Sequence, residues 1–145
     1  MNKLTACLAI HERHGHWAAK VRQHSDIQPL VETRIWDDLF ATLAERPHSI
    51  ALLELQERNL ESTLRNAIKI RQEFNQCRFI FAGDSFLEPI RWRLSEFGAI
   101  GTIHDFSSFQ EALAVVRKHL KLAPALELDF PDSIWQRLPW QSNAS

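Results

Sequence analysis

The run Ser49-Ile50-Ala51-Leu52-Leu53-Glu54-Leu55 constrains the fold more than any other stretch of the chain. Pro47 precedes it and the polar segment Gln56-Glu57-Arg58-Asn59 follows it. A continuous apolar run of this length, bounded by breakers, is the pattern of a strand covered on both faces. Such strands belong to parallel sheets flanked by helices. Glu54 then falls at the carboxyl end of a central strand, the edge at which open α/β sheets place their sites.

The remaining elements alternate around it. Leu4 to Ile10 reads as a first strand, followed by the loop His11-Glu12-Arg13-His14-Gly15. Trp17, Val21 and His24, with Ala18 beside them, recur at helical spacing and predict a helix over about 16–24. Leu30 to Thr33 is a second, weak strand. Trp36, Leu39, Phe40 and Leu43 mark a second helix, closed before Pro47. After the central strand, Asn59 suits an N-cap, and Leu60, Leu64, Ala67, Ile68 and Phe74 form the expected buried stripe of a third helix. Cys77 to Ala82 is a fourth strand. Ser85 and Glu88 have capping-box spacing, and Leu87, Ile90, Leu94 and Phe97 line a fourth helix that Gly98 can stop. Ile100 to Ile103 is a fifth strand. Ser108 and Glu111 form a second capping box, and Phe109, Leu113, Val116 and Leu120 face the core from a fifth helix. Five strand–helix alternations joined by right-handed crossovers predict a three-layer α/β/α sandwich. Its five-stranded parallel sheet takes the flavodoxin-like order 2-1-3-4-5.

Residues 1–121 form this domain, and the composition shifts in 122–145. Pro124, Pro131 and Pro139 accumulate there with Trp135 and Trp140, and a short helix is expected near Asp132 to Leu138. Large aromatic rings are costly to leave in water, so this tail is expected to dock through Trp135 and Trp140.

Composition narrows the function classes. Of 145 residues, 17 are basic and 18 acidic, a net charge of -1, which lacks the basic excess of a general nucleic-acid or membrane-surface binder. Cys7 and Cys77 match no metal or redox spacing and read as buried thiols in a reducing cytoplasm. No stretch is apolar for long enough to span a bilayer, and the start of the chain is too polar for a signal peptide. The glycines form no phosphate-cradling turn, no serine stands in a nucleophile elbow, and no cofactor is implied.

Five βα units with a carboxylate ending the third strand resemble the receiver domain of two-component response regulators. The resemblance spans roughly Leu4 to Lys121 and rests on element order, on Leu52-Leu53-Glu54-Leu55 and on Gly98-Ala99. It implies a phosphoacceptor pocket in which Glu54 stands where the family has aspartate. His11-Glu12 match the Mg²⁺-holding acidic pair, and Ala82-Gly83 fall at the strand-four hydroxyl. His104-Asp105 fall at the lysine after strand five, and Thr102 at an aromatic switch position. With one acidic residue of the pair, no hydroxyl and no lysine, His11, Glu12, Glu54, Ala82, His104 and Asp105 make a degenerate pocket. Developing phosphoryl charge needs a fixed cation. The expectation is a pseudo-receiver, a signalling or scaffold module that takes no phosphoryl group.

Two further features carry expectations. His11, His14 and His16, with Glu54, Asp84, His104 and Asp105 at the same sheet edge, include ligand types for a transition metal and its hydrolytic water. A small metal-dependent enzyme is therefore the alternative, although the spacing matches no established site. On the fourth helix, Arg91-Trp92-Arg93 points away from the core stripe and has the composition of an interface hot spot. A protein partner or a second copy is expected on the face of helix four, strand five and helix five, where receivers bind theirs; the alternative is cover by the chain's own tail.

Overall fold

The structure, a computed structural model, describes residues 5–127. Trp135, Trp140 and the expected short helix lie outside the described residues. Five parallel strands form one sheet in the order β2-β1-β3-β4-β5. They are β1 (Leu8–His11), β2 (Leu30–Thr33), β3 (Ile50–Glu54), β4 (Arg78–Ala82) and β5 (Gly101–Ile103). Helices α1 (His16–Val21), α2 (Trp36–Glu45), α3 (Leu60–Glu73), α4 (Arg91–Ser95) and α5 (Phe106–Glu127) connect and follow them. The flavodoxin-like three-layer arrangement expected from the apolar pattern is what the chain adopts.

Residue alternation in β3 divides the core. Ile50 and Leu52 pack with Trp17, Val21, Phe109, Leu113 and Val116 on the α1/α5 side. Ala51 and Leu53 pack with Leu39, Leu43, Ala67, Ile70 and Leu94 on the α2/α3/α4 side. Every residue of β3 is buried, as two covering layers require. Burying one leucine of this kind contributes about 1.5–3 kcal/mol, so β3 anchors both layers.

Several boundaries differ from the sequence reading, each for a local reason. β1 begins at Leu8, where it acquires partners on both sides in Leu30 and Ile50, and it extends to His11. The buried face of α3 carries Thr63, Ala67 and Ile70, whereas Ile68 is 41% exposed. The fourth helix is split. Ser85–Ile90 is a 3-10 segment containing Pro89, and only Arg91–Ser95 is α-helical. Proline has no N–H to give to an i−4 carbonyl, and the turn that holds Pro89 is 3-10 rather than α. The cap of that segment is Asp84, whose carboxylate accepts from Phe86 N, rather than a Ser85–Glu88 box. Asp105 and Ser108 likewise form the reciprocal bonds at the start of α5, where a Ser108–Glu111 pair was expected. Gly98 closes the stretch after α4 at φ +98°, a conformation that favours glycine. α5 continues past Lys121 and through Pro124, so the compositional shift at 122 is not an element boundary. Among the described residues, no helix is long and apolar enough to cross a membrane.

Candidate functional site at the carboxyl edge of the sheet

Parallel topology brings the ends of β1, β3, β4 and β5 to one edge. The register sets Leu53 beside His11, and Glu54 beside Ala82. The segments leaving these strands therefore place Glu12, Glu54, Asp84, His104 and Asp105 around a common rim.

Glu12 is buried and serves α1. Its Oε1 accepts from Trp17 N at 2.7 Å and its Oε2 from Ala18 N at 2.8 Å. The residue at the N-cap position, Gly15, has no side chain to cap the helix, and the first turn holds no acid of its own. Glu12 reaches forward to supply both, satisfying two orphan donors and the positive end of the helix. Both of its oxygens are thereby occupied by the protein.

Glu54 is 8% exposed. Its Oε1 accepts from Arg13 N at 3.1 Å, and its backbone carbonyl accepts from Asn59 Nδ2 at 3.3 Å. Asn59 also accepts from Gln56 N at 2.6 Å, so its side chain shapes the turn after β3 rather than capping α3. Glu54 forms part of two cavities. The larger, about 670 Å³, lies between α1 and α5 and is walled by His14, His16, Asp84, His104 and Asp105. The smaller, about 300 Å³, is bounded by His11, Arg13, Arg34 and Trp36.

At the end of β4, Ala82 is fully buried, and its carbonyl accepts from Leu55 N at 2.7 Å. A Cβ on Gly83 would stand 2.7 Å from both Leu55 O and Leu87 Cδ1. The chain passes too closely here for a side chain at Gly83. At the end of β5, Asp105 Oδ1 accepts from Ser108 N at 2.7 Å, which pulls the carboxyl below its ordinary range. The His104 side chain is 8% exposed, and its Nδ1 has no hydrogen-bond partner, with Asp105 Oδ2 at 3.5 Å.

The histidines expected as a possible metal triad diverge. His11 Nδ1 lies 2.8 Å from Thr33 Oγ1, and its ring packs on Trp36 in the smaller cavity, while His14 and His16 face the larger one. Burial holds His11 neutral, its pKa lowered to about 4. Among the described residues, no three His, Cys, Asp or Glu side chains gather where a metal ion could sit. His11 belongs to a strand whose side chains are directed by pleat and pairing, not to the loop that carries the other two.

Sequence reasoning missed the aromatic and cationic walls of the larger cavity. Trp17 and Phe109 read as core-face residues, and they are, but they also form the upper end of that core. Phe106, 77% exposed, stands at the mouth, and the Lys20 ammonium lies 4.8 Å from the Trp17 ring centroid. No local pattern signals either role.

No protein-family model, curated protein or solved structure matches this chain.

A second surface lies around the edge strand β5. Trp92 is 59% exposed, with the Arg93 guanidinium 5.0 Å over its ring. Ile100, Val115 and Leu122 are also exposed. A groove of about 310 Å³ includes Arg91, Trp92, Thr102, His104 and Glu111. His104 is thus shared between this groove and the larger cavity.

Proposed function

We propose that the chain is a receiver-like module that acts through protein contacts and accepts no phosphoryl group. The observation that carries this reading is the state of the carboxylates at the sheet edge. Glu54 stands at the phosphoacceptor position, buried and oriented by Arg13 N. The acid that would help hold a divalent ion, Glu12, has both oxygens on α1 N–H groups. Where a cation would neutralise the phosphoryl oxygens, the chain has His104 and a carboxylate held ionised by Ser108 N. Like charge at that position opposes phosphoryl transfer, whose transition state spreads negative charge over three oxygens. The lysine on the cavity wall, Lys20, comes from α1 and lies over Trp17.

Glu54 therefore supplies a permanent negative charge one methylene farther from the backbone than aspartate would. Such a module has a fixed signalling state, read by a protein partner or a second copy on the face of α4, β5 and α5. Trp92, flanked by Arg91 and Arg93, supports that choice of face: an exposed aromatic stacked with arginine has hot-spot composition. The deciding experiment is incubation with acetyl phosphate and Mg²⁺ followed by intact-mass measurement. The mass is expected to stay unchanged. A phosphorylated species that disappears in Glu54→Gln overturns the reading.

A further inference from the structure

We infer that the chain's own segment 128–145, which follows the described residues, folds back antiparallel along α5 and docks in cis on the apolar stripe there, with Trp135 anchored in the groove beside Ile100. Docked there, the segment covers the face on which a partner is proposed to bind. That consequence rests on the module reading; the docking itself does not.

Exposed apolar surface is concentrated on this side of the domain. Seven large hydrophobic side chains are exposed among the described residues, and four of them, Trp92, Ile100, Val115 and Leu122, belong to α4, the approach to β5, and α5. On α5, Glu111, Val115, Lys118 and Leu122 follow one another at steps of three and four residues, so they form one line along the helix. Glu111 also lines the groove with Ile100 and Thr102. The line therefore runs from that groove toward the last turns of α5, with Val115 and Leu122 42% and 52% exposed along it. Contiguous apolar surface of this kind marks an interaction site rather than scattered surface residues.

The length and position of the tail select it as the occupant. From Glu127 back to Glu111 the helix spans about 24 Å at 1.5 Å per residue. An extended chain advances about 3.3 Å per residue, so about eight residues cover that distance. Phe130 then passes near Leu122, and Trp135 reaches the groove. The charges agree with the same register. Asp132 arrives near Lys118, which pairs with no carboxylate among the described residues. Pro131 and Pro139 reduce the entropy lost when the segment is fixed. A short tether also gives the segment a high effective concentration at its own α5, which favours docking in cis over docking on a second copy.

Hydrogen exchange of the full chain, read by mass spectrometry, tests the assignment. A docked short arm releases before the domain melts, so exchange reports it where a melting temperature does not. In the wild-type chain the amides of residues 129–138 are expected to exchange about tenfold more slowly than those of an unstructured chain, and equally so after dilution. Val115→Asp with Leu122→Asp changes exposed positions only, and Trp135→Ala with Trp140→Ala changes none of the described residues. Each pair is expected to abolish the slowing. The intact-mass test of the phosphoryl reading is independent of all these outcomes, so the two proposals can fail separately. Unslowed exchange in the wild type, slowing that disappears on dilution, or slowing retained in either folded double variant overturns the assignment.

Discussion

The imidazole of His11 lies against the indole of Trp36, with ring centroids 4.0 Å apart and planes inclined by 35°. This contact joins the end of β1 to the start of α2, and Thr33 Oγ1 lies 2.8 Å from Nδ1 of the same ring. Burial lowers the pKa of His11 from 6.5 to about 4. The unfolded chain therefore takes up this proton as the pH falls through 6.5, while the folded chain takes it up only near 4. Stability from His11 is complete above 6.5, declines down to about 4 and levels off below, by about 3 kcal/mol in all. Urea unfolding of wild type and His11→Phe across that interval checks this: the variant, which keeps a ring on Trp36, should show the shallower decline. Parallel curves would contradict it.

Glu12 gives a second measurable effect. Replacing it by alanine leaves Trp17 N and Ala18 N without their carboxylate and removes the charge that faces the α1 dipole. The expected loss is about 2 kcal/mol of unfolding free energy, with Glu12→Gln losing less because one acceptor survives. Denaturant midpoints of the two variants should fall in that order. Equal stability of wild type and Glu12→Ala would mean that the cap contributes nothing.

Gly83 is a steric test of how tightly β4 leaves the sheet. A methyl group there meets the Leu55 carbonyl, which is backbone and cannot rotate away, as well as Leu87. Gly83→Ala should destabilise the fold by about 1–3 kcal/mol, visible as a lowered melting temperature. A melting curve identical to wild type would show that the Leu55 and Leu87 segments yield at little cost.

Trp92 should behave in the opposite way. With more than half its surface exposed, Trp92→Ala is expected to change stability by no more than about 0.5 kcal/mol. The same substitution should reduce self-association or partner capture if the α4/β5/α5 face is the contact surface. Light scattering for mass and thermal melting for stability separate the two effects. A large loss of stability would place Trp92 in the structural framework instead.

The two thiols form a buried feature at the opposite end of the sheet. Burial pushes the Cys77 thiol up to about 12 and raises Cys7 as well. Thiolate is the reactive form, so neither cysteine should be modified by a thiol reagent in the folded protein, and both should react once it unfolds. Rapid labelling under native conditions would refute this.

The sequence by itself determined the sheet. Ile50 to Glu54 had to be covered on both faces, the helical stripes supplied the covers, and alternation with right-handed crossovers left the observed order as the natural one. Glu54 at the end of the central strand follows directly from that pattern. The tertiary structure decided what the edge residues do. Glu12 became a helix cap because Gly15 could not be one, and His11 turned to Thr33 and Trp36 because β1 reached one residue farther than the apolar run. Asp84 and Asp105, rather than the serines after them, took the leading capping roles. Hydrophobic periodicity records which face of an element is buried, a property each segment carries locally. The role of a polar side chain at a loop depends on the donors that other segments bring within reach, and those segments are distant in the chain. Strand order alone put Glu54, Asp84, His104 and Asp105 at one sheet edge; that Trp17 and Phe109 wall the same cavity was visible only in the tertiary structure.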